Sequence, residues 1–254
     1  MAMTGDDDLL AADLAAEAGR RLLALRARGG DPDALRRDGD RLSHEFLAAE
    51  LARQRPGDAL LSEEGKDSPE RLSASRVWIV DPLDGTREFG EPGRTDWAVH
   101  VALWEKGDLT AGAVALPAQD RVLSTADPVT GPGGGSKSTS ITLRLVVSRT
   151  RPPDFAVRLA ETTGAELVPL GSAGAKAAAV ICGDAEAYVH SGGQYEWDSA
   201  APVAVAVAAG LHASRIDGSK LRYNQDPPSV PDILICQAAL ADMLLGAISS
   251  ARQR

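Results

Sequence analysis

Residues 78–86 of the chain read WIVDPLDGT. We predict a strand over residues 76–80, because four consecutive apolar side chains suit a strand that is covered on both faces. The strand should stop at Asp81, since the proline that follows lacks a backbone N–H. Asp81 and Asp84 then lie three residues apart across a tight turn, where their carboxylates can converge on one point.

Two carboxylates held that close repel each other unless a cation neutralises them. Carboxylate and carbonyl oxygens are hard ligands, so Mg²⁺ or Mn²⁺ is the expected cation. Asp-Gly is also a common turn signal, but the whole string DPLDGT is more particular than a turn. Its spacing also differs from the D-x-D-x-T pattern of phosphatases that form an aspartyl phosphate, so we expect no phospho-enzyme intermediate.

Further acids lie at two other predicted element ends. Glu63 and Glu64 follow an apolar strand predicted over residues 59–62, and a strand end is where a sheet presents ligands to a crevice. Asp198 lies in the segment EWDSAA, residues 196–201, at the start of an Ala-rich helix. The alternative interpretations are a solvated Glu pair and a plain helix N-cap at Asp198.

Composition excludes several classes of function. The 254 residues include 27 Lys and Arg against 36 Asp and Glu, a net charge of −9 that disfavours nucleic-acid binding. No apolar run reaches the roughly 18 residues of a membrane span. Cys182 and Cys236 cannot form a disulfide framework, so we expect a cytoplasmic protein with two reduced core cysteines. The four histidines are scattered, and we expect none to act as a general base or metal ligand.

Periodicity divides the remaining chain into alternating helices and strands. Helices are predicted over residues 8–28, about 40–54, 154–163, about 173–181 and 198–209, with a terminal helix containing Leu240, Leu244 and Ile248. Further strands are predicted over residues 98–104, 111–116, 121–125, 144–148, 166–170, 187–190 and 233–236.

Low-complexity residues 130–140, TGPGGGSKSTS, are predicted to form a mobile surface loop. We expect a single domain over residues 1–254, in which this loop separates an N-terminal half of about 1–130 from a C-terminal half of about 141–254. Mixed strands and helices of this kind suggest layers of sheet and helix.

Three sequence blocks together resemble a known family. WIVDPLDGT, the upstream LLSEEG and the downstream EWDSAA resemble the signature blocks of the inositol monophosphatase superfamily of metal-dependent, lithium-sensitive phosphatases. The resemblance runs from the first helix to the last. It implies an α+β fold, the layered α/β/α/β/α sandwich of inositol monophosphatase and fructose-1,6-bisphosphatase.

One branch of the superfamily is more similar than the others. Residues 85–89, GTREF, resemble the CysQ-type 3'(2'),5'-bisphosphate nucleotidases, whereas inositol-specific members commonly end this segment in Asn-Phe. Residues 171–176 resemble that branch's small-residue turn leading to a lysine, and residues 147–150 resemble its Ser-Arg strand end.

The resemblance implies two or three Mg²⁺ ions, with Mn²⁺ as a possible substitute. The first ion would be held by Glu63, Asp81 and the carbonyl of Leu83, and the second by Asp81, Asp84 and Asp198. Glu63 would also contact a third, weaker ion. Thr86 and Asp40 would orient the attacking water, although Asp40 could instead be a plain N-cap.

The resemblance also implies substrate contacts. The metal-binding positions Glu63, Leu83, Asp84 and Asp198 would face the substrate, Gly85 and Thr86 would bind the scissile phosphate through their N–H groups, and Ser172 would contact the sugar or second phosphate. One departure concerns the residue for the non-hydrolysed phosphate, because His190 occupies the position where such nucleotidases often have an arginine. Arg149, Arg151 or Lys176 could compensate.

Three functions remain open at this point. The first is Mg²⁺-dependent hydrolysis of 3'-phosphoadenosine 5'-phosphate, and perhaps its 5'-phosphosulfate, by attack of a metal-activated water. The second is an inositol-1-monophosphatase or fructose-1,6-bisphosphatase activity on the same metal core. The third is a non-catalytic metal or phospholigand binder. The partner is expected to be a small phosphorylated molecule, with no nucleic acid and no membrane, and the assembly a homodimer.

Overall fold

The computed structural model describes residues 4–129 and 142–252. The helices are α1 (Thr4–Arg26), α2 (Pro32–Gln54), α3 (Thr86–Gly90), α4 (Asp154–Thr163), α5 (Ala173–Ile181), α6 (Glu196–Ala208) and α7 (Ala241–Arg252). The strands are β1 (Ala59–Ser62), β2 (Arg76–Asp84), β3 (Ala98–Glu105), β4 (Asp108–Leu116), β5 (Arg121–Ser124), β6 (Arg144–Ser148), β7 (Glu166–Leu170), β8 (Ala187–Tyr195), β9 (His212–Ser214) and β10 (Ser229–Cys236). The low-complexity residues 130–140 lie outside the described residues, and the division into halves stays a prediction.

The strands form two five-stranded sheets. The first has the order β1-β2-β3-β4-β5, with β1 parallel to β2 and the other pairs antiparallel. The second has the order β7-β6-β8-β10-β9, with β7, β6 and β8 parallel and β10 antiparallel to both its neighbours. Each sheet is built from a contiguous part of the chain.

Alternation along β2 explains its continuous apolar sequence. Trp78 and Val80 pack with α1 and α2 on one face of the first sheet, whereas Val77 and Ile79 pack on the other face with α5 and α6. Helices α5 and α6 form a middle layer, because they also cover one face of the second sheet. Helices α4 and α7 cover the far face of that sheet. The α/β/α/β/α sandwich predicted from the sequence is therefore confirmed.

The middle helix layer is built from small residues. Its helices read AGAKAAAVI in α5 and EWDSAAPVAVAVA in α6, so both sheets can approach them closely. At Gly112 of β4 a methyl group would lie 2.6 Å from the Cβ of Ala204 in α6. The lack of a side chain at Gly112 therefore sets the distance between the first sheet and the helix that carries Asp198.

The second helix begins earlier than predicted. We expected a start near Asp40, but α2 begins at Pro32, with the Asp31 carboxylate accepting a bond of 2.8 Å from the N–H of Ala34. Aspartate at the N-cap and proline in the first helical turn are ordinary start signals. Asp40 therefore lies in the middle of the helix, and its interpretation as a helix start or N-cap was wrong.

Strands β4 and β10 begin earlier than predicted, at Asp108 and Ser229, and two strands near the site end later. β2 continues through Asp84 instead of stopping at Asp81, because the proline is accommodated in a bulge. β8 continues to Tyr195 through Gly192 and Gly193, so His190 lies inside the strand and pairs with Ile233 of β10. The short strand β9 was not predicted.

Within residues 4–129 and 142–252, no helix is long and apolar enough to cross a membrane. Cys182 and Cys236 are both free thiols, and Cys236 is buried.

The close approach at Gly112 generates a prediction about stability. Gly112→Ala should lower the free energy of unfolding by about 1–3 kcal/mol, because the added methyl group overpacks the contact with Ala204. Gly246→Ala is the matched control, since that glycine lies on the exposed side of α7 with open space around it. The control should be stabilising by up to about 1 kcal/mol. Urea denaturation measures both, and equal effects would contradict the packing argument.

Candidate active site

A bulge in β2 places Asp81 and Asp84 on the same side of the sheet. Asp81 is paired with His100 of β3 and Asp84 with Ala98, so three steps along β2 correspond to two along β3. In a regular strand, residues three apart point to opposite faces, and one extra residue restores a common direction. Pro82 lies within the bulge, where its missing N–H leaves no ladder bond unmade.

Asp198 reaches the same place from the other half of the chain. Oxygen atoms of Asp81, Asp84 and Asp198 all lie within 4.8 Å of one another. Asp198 lies in the first turn of α6, where one of its oxygens accepts a bond of 2.7 Å from the N–H of Tyr195. Tyr195 is the N-cap residue, so Asp198 stabilises the helix start and still has a second oxygen for a ligand.

Glu63 joins this group from the neighbouring strand. β1 and β2 are parallel, with Ser62 opposite Val80, so their carboxyl ends meet at one edge of the sheet. The N–H of Glu63 donates to the carbonyl of Val80 at 3.4 Å. Its carboxylate lies at the rim of the acidic group, close enough for the charges of Asp198 and Asp84 to raise its pKa. Three of the five predicted metal-ligand positions thus place carboxylate oxygens within 4.8 Å of one another, Glu63 lies beside them at the end of β1, and Leu83 lies in the bulge itself.

The electrostatics of this group favour a bound cation. Burial, together with the neighbouring carboxylates of Glu63 and Asp84, raises the pKa of Asp81. Partial burial of its carboxylate and the charge of Asp198 raise the pKa of Glu63 to about 7. Burial and the charge of Asp84 raise the pKa of Asp198 to about 6. The carboxylates therefore resist ionising together, and their hard oxygen atoms suit a divalent cation such as Mg²⁺.

His100 is a functional neighbour that the sequence did not identify. Its ring is completely buried, with Nε2 3.1 Å from Oδ2 of Asp84 and Nδ1 3.0 Å from the carbonyl oxygen of Trp197. Burial alone would raise the pKa of Asp84, but His100, Lys176 and the N–H of Gly174 together outweigh it and lower that pKa. His100 thus links β2 to the start of α6. A single histidine in the apolar strand AVHVALWE was the signal available.

Thr86 and Asp40 lie beside the acidic group. The Thr86 hydroxyl lies 3.3 Å from Oδ1 of Asp40 and 3.0 Å from the carbonyl oxygen of Leu83. Burial and the charge of Glu64 raise the pKa of Asp40 to about 6, although the bond from Thr86 opposes the shift. The structure therefore brings the two predicted water-orienting residues together at one of the predicted metal-ligand carbonyls.

A turn from the second half of the chain covers the bulge. Gly85 has a φ of 85°, and an added methyl group there would lie 3.0 Å from the Cβ of Ser172. Ser172 is the N-cap of α5, and the N–H of Gly174 donates to Oδ2 of Asp84 at 2.7 Å. Buried Lys176 donates from Nζ to the carbonyls of Gly171 and Ser172, at 2.6 and 2.8 Å, and so holds this turn in shape.

The remaining predicted phosphate contacts already have partners. Arg149 forms ion pairs with Glu88 and Glu91, so the Glu of the GTREF segment ties α3 to the end of β6. The Nε2 of His190 lies 2.6 Å from the carbonyl oxygen of Gly192. Burial lowers the pKa of His190, so its imidazole does not supply the positive charge that an arginine at this position would.

Comparison with known proteins gives the relationships of this chain. The sequence matches the Inositol monophosphatase family over residues 11–253. A Mycobacterium leprae protein named 3'-phosphoadenosine 5'-phosphate phosphatase is 52% identical over 253 residues, covering 95% of this chain and 93% of the relative. A Mycobacterium bovis protein of the same name is 54% identical over 242 residues, covering 92% of this chain and 90% of the relative.

Solved structures show the same relationship. CysQ from Bacteroides thetaiotaomicron, described as a bacterial member of the inositol monophosphatase family, has a TM-score of 0.79 at 25% identity, covering 92% of this chain and 97% of that one. Mycobacterium tuberculosis SuhB has a TM-score of 0.76 at 25% identity, covering 99% and 98%. As its three sequence blocks predicted, the chain belongs to the inositol monophosphatase family.

Proposed function

We propose that this protein is a Mg²⁺-dependent phosphatase that converts 3'-phosphoadenosine 5'-phosphate into AMP and phosphate. The observation that carries the proposal is the convergence of Asp81, Asp84 and Asp198, whose oxygen atoms lie within 4.8 Å of one another. Relatives more than half identical along nearly the whole chain are named for this reaction, which supports the substrate assignment. The 5'-phosphosulfate analogue is a further candidate substrate.

The proposed metal ligands follow the geometry of the bulge. Glu63, Asp81 and the Leu83 carbonyl would hold one Mg²⁺, and Asp81, Asp84 and Asp198 a second. Glu63 at the rim would contact a third ion, and Mn²⁺ would substitute. When bound, two such cations activate a water nucleophile, neutralise the phosphoryl oxygens and stabilise the leaving alkoxide.

Two side chains of the protein, Thr86 and Asp40, would orient the attacking water. The Thr86 hydroxyl can donate one hydrogen bond, either to Asp40 or to the carbonyl oxygen of Leu83. When the Leu83 carbonyl serves as a metal ligand, the Thr86 hydroxyl donates to Asp40 instead. Its lone pairs can then accept a hydrogen bond from the attacking water. Asp40 has a pKa of about 6, so it is ionised at neutral pH and can accept the hydrogen bond from Thr86.

Substrate contacts extend the same site. We propose that the N–H groups of Gly85 and Thr86 bind the scissile phosphate and that the Ser172 turn contacts the ribose or the second phosphate. Arg149, Lys176 and His190 stay candidates for the non-hydrolysed phosphate. Among these, Arg149 remains 28% exposed and therefore accessible to a ligand. A homodimeric assembly and a cytoplasmic location also stay predictions.

The substrate assignment predicts the order of activities. The kcat/KM for 3'-phosphoadenosine 5'-phosphate should exceed those for inositol 1-phosphate and fructose 1,6-bisphosphate by at least about tenfold. A single contact worth 1.4 kcal/mol to the base or second phosphate gives that factor. Phosphate release with each substrate, with and without Mg²⁺, measures it. Preference for inositol 1-phosphate would support the alternative phosphatase, and no release from any substrate would support a binder.

A substitution of one ligand tests the metal assignment. Asp84→Asn should lower kcat/KM by more than about 100-fold at saturating Mg²⁺, because even residues behind metal ligands contribute 10- to 100-fold. The protein should stay folded by circular dichroism, since asparagine can still accept the bond from Gly174. Asp108→Asn is the control, as that acid is exposed and forms a surface ion pair with Lys220. Turnover near the wild-type value by Asp84→Asn would contradict the role.

The raised pKa values predict how metal and pH act on stability. Without metal, the stabilising contribution of Glu63 and Asp198 falls as pH rises through about 6 to 7, because the folded state holds protons that the unfolded state releases earlier. Mg²⁺ replaces those protons, so the increase in Tm on adding Mg²⁺ should be larger at about pH 8 than at about pH 5. Thermal melts in EDTA and in Mg²⁺ at equal ionic strength measure it, and an increase independent of pH would argue against these ligands.

A further inference from the structure

Arg71 is a buried cation that the proposed mechanism does not use. It lies in the short turn Pro69–Ser73 between β1 and β2 and is only 1% exposed. Its Nε and Nη2 donate to the two oxygens of Asp67 at 2.7 and 3.0 Å. Its Nη1 donates to Oδ1 of Asn224 at 2.8 Å, and Nη2 also donates to the carbonyl of Gln225 at 2.8 Å. One guanidinium thus joins two distant parts of the chain.

On one side, Arg71 fixes the segment that carries Glu63. Residues 63–67 leave the end of β1, where the N–H of Glu63 donates to the carbonyl of Val80. The segment ends at Asp67, whose carboxylate accepts hydrogen bonds from Nε and Nη2 of Arg71. The segment is largely exposed to solvent and is held by the turn at the end of β1, where the N–H of Gly65 donates to the carbonyl of Ser62 at 3.1 Å, and by the anchor at Asp67.

On the other side, Arg71 fixes the start of the helix that carries Asp198. The N–H groups of Asn224 and Gln225 each donate at 2.7 Å to one oxygen of Glu196, which is completely buried. Asn224 also donates from Nδ2 to the carbonyl of Arg71 at 3.0 Å, which makes the connection reciprocal. Glu196 is the first residue of α6 and lies two residues before Asp198.

Stability alone explains this arrangement poorly. Arg71 is buried, whereas the Asp67 side chain is 42% exposed. Such a pair gains little net stability over apolar residues of the same volume, because removing the guanidinium from water offsets its attraction to the carboxylate. What the planar guanidinium offers is a fork of fixed geometry that lysine cannot reproduce. Among residues 4–129 and 142–252, the four hydrogen bonds that the guanidinium donates go to the two segments that position proposed ligands.

We propose that Arg71 is a positioning residue for the metal centre. It couples the segment that carries Glu63 to the helix that carries Asp198, and so sets the affinity of the centre for divalent cations. The inference rests on the proposed metal site, since it concerns how tightly that site is held in shape.

The test measures metal binding directly, without substrate. Arg71→Lys keeps the positive charge but loses the fork, and it should raise the dissociation constant for Mn²⁺ by about tenfold, the lower end of the range for residues behind metal ligands. Titration of the full-length protein with Mn²⁺, followed by electron paramagnetic resonance of the free ion, gives this constant. The Mg²⁺ concentration for half-maximal activity should rise with it, while kcat at saturating Mg²⁺ should change less.

Two further variants separate positioning from general destabilisation. Asp67→Asn should weaken Mn²⁺ binding in the same direction, and it leaves Arg71 and its bonds to Asn224 and Gln225 in place. Arg215→Lys is the matched control, because Arg215 forms a similar two-bond pair with Asp232, at 2.6 and 2.7 Å, away from the proposed ligands. The control should bind Mn²⁺ as the wild type does.

The outcomes distinguish this inference from the proposed function. Wild-type affinity for Mn²⁺ in both Arg71→Lys and Asp67→Asn would overturn the positioning role while leaving the metal site intact. Equal weakening in Arg71→Lys and Arg215→Lys would overturn it as well, because the effect would then follow from lost stability. Absence of Mn²⁺ binding by the wild-type protein would instead refute the metal site itself.

Discussion

Like charges repel most strongly where water is excluded, and this protein holds its carboxylates together in such a place. Asp81 and Asp84 are buried in one strand, and Asp198 is brought to them from another helix. Such an arrangement is costly unless the surrounding structure enforces it and a cation neutralises it. The bulge around Pro82 enforces it locally, since it directs two side chains three residues apart to the same side of the sheet.

Close packing between the two sheets brings Asp198 to that bulge. The first sheet and the second sheet share a middle layer of two helices, and small residues in that layer allow close approach. Gly112 lets α6 lie against β4, and Gly174 lets α5 lie against His100, whose Nε2 would be 2.3 Å from an added methyl group. His100 then bonds to the carbonyl of Trp197, next to Asp198, so one buried ring contacts both ligand-bearing elements.

Much of this could be predicted from the sequence, because the signals were local. The four apolar residues before Asp81 indicated a doubly covered strand, and the three sequence blocks indicated the acidic group. Helix α4 and strands β6 and β7 have the predicted bounds, as their periodicity and turn residues are unambiguous. The start of α2 lies eight residues before the predicted one, because its first two turns carry few apolar residues and only Asp31 and Pro32 mark the helix start.

What the sequence could not indicate depends on contacts between distant residues. The bulge in β2 is defined by its pairing with β3, and no turn signal reveals it. The roles of His100 and Arg71 depend on partners 97 and 153 residues away. An isolated histidine or arginine in a sequence gives no indication of a role at a site, because its contacts with distant residues are set by the fold.

The central claim is that divalent cations occupy the space between these carboxylates. Anomalous diffraction from crystals soaked in Mn²⁺ tests this claim most directly. The account predicts peaks within coordination distance of Asp81, Asp84 and Asp198, with a further peak bordered by Glu63 and the Leu83 carbonyl. Crystals in which these side chains turn away from one another, with no anomalous peak between them, would contradict it.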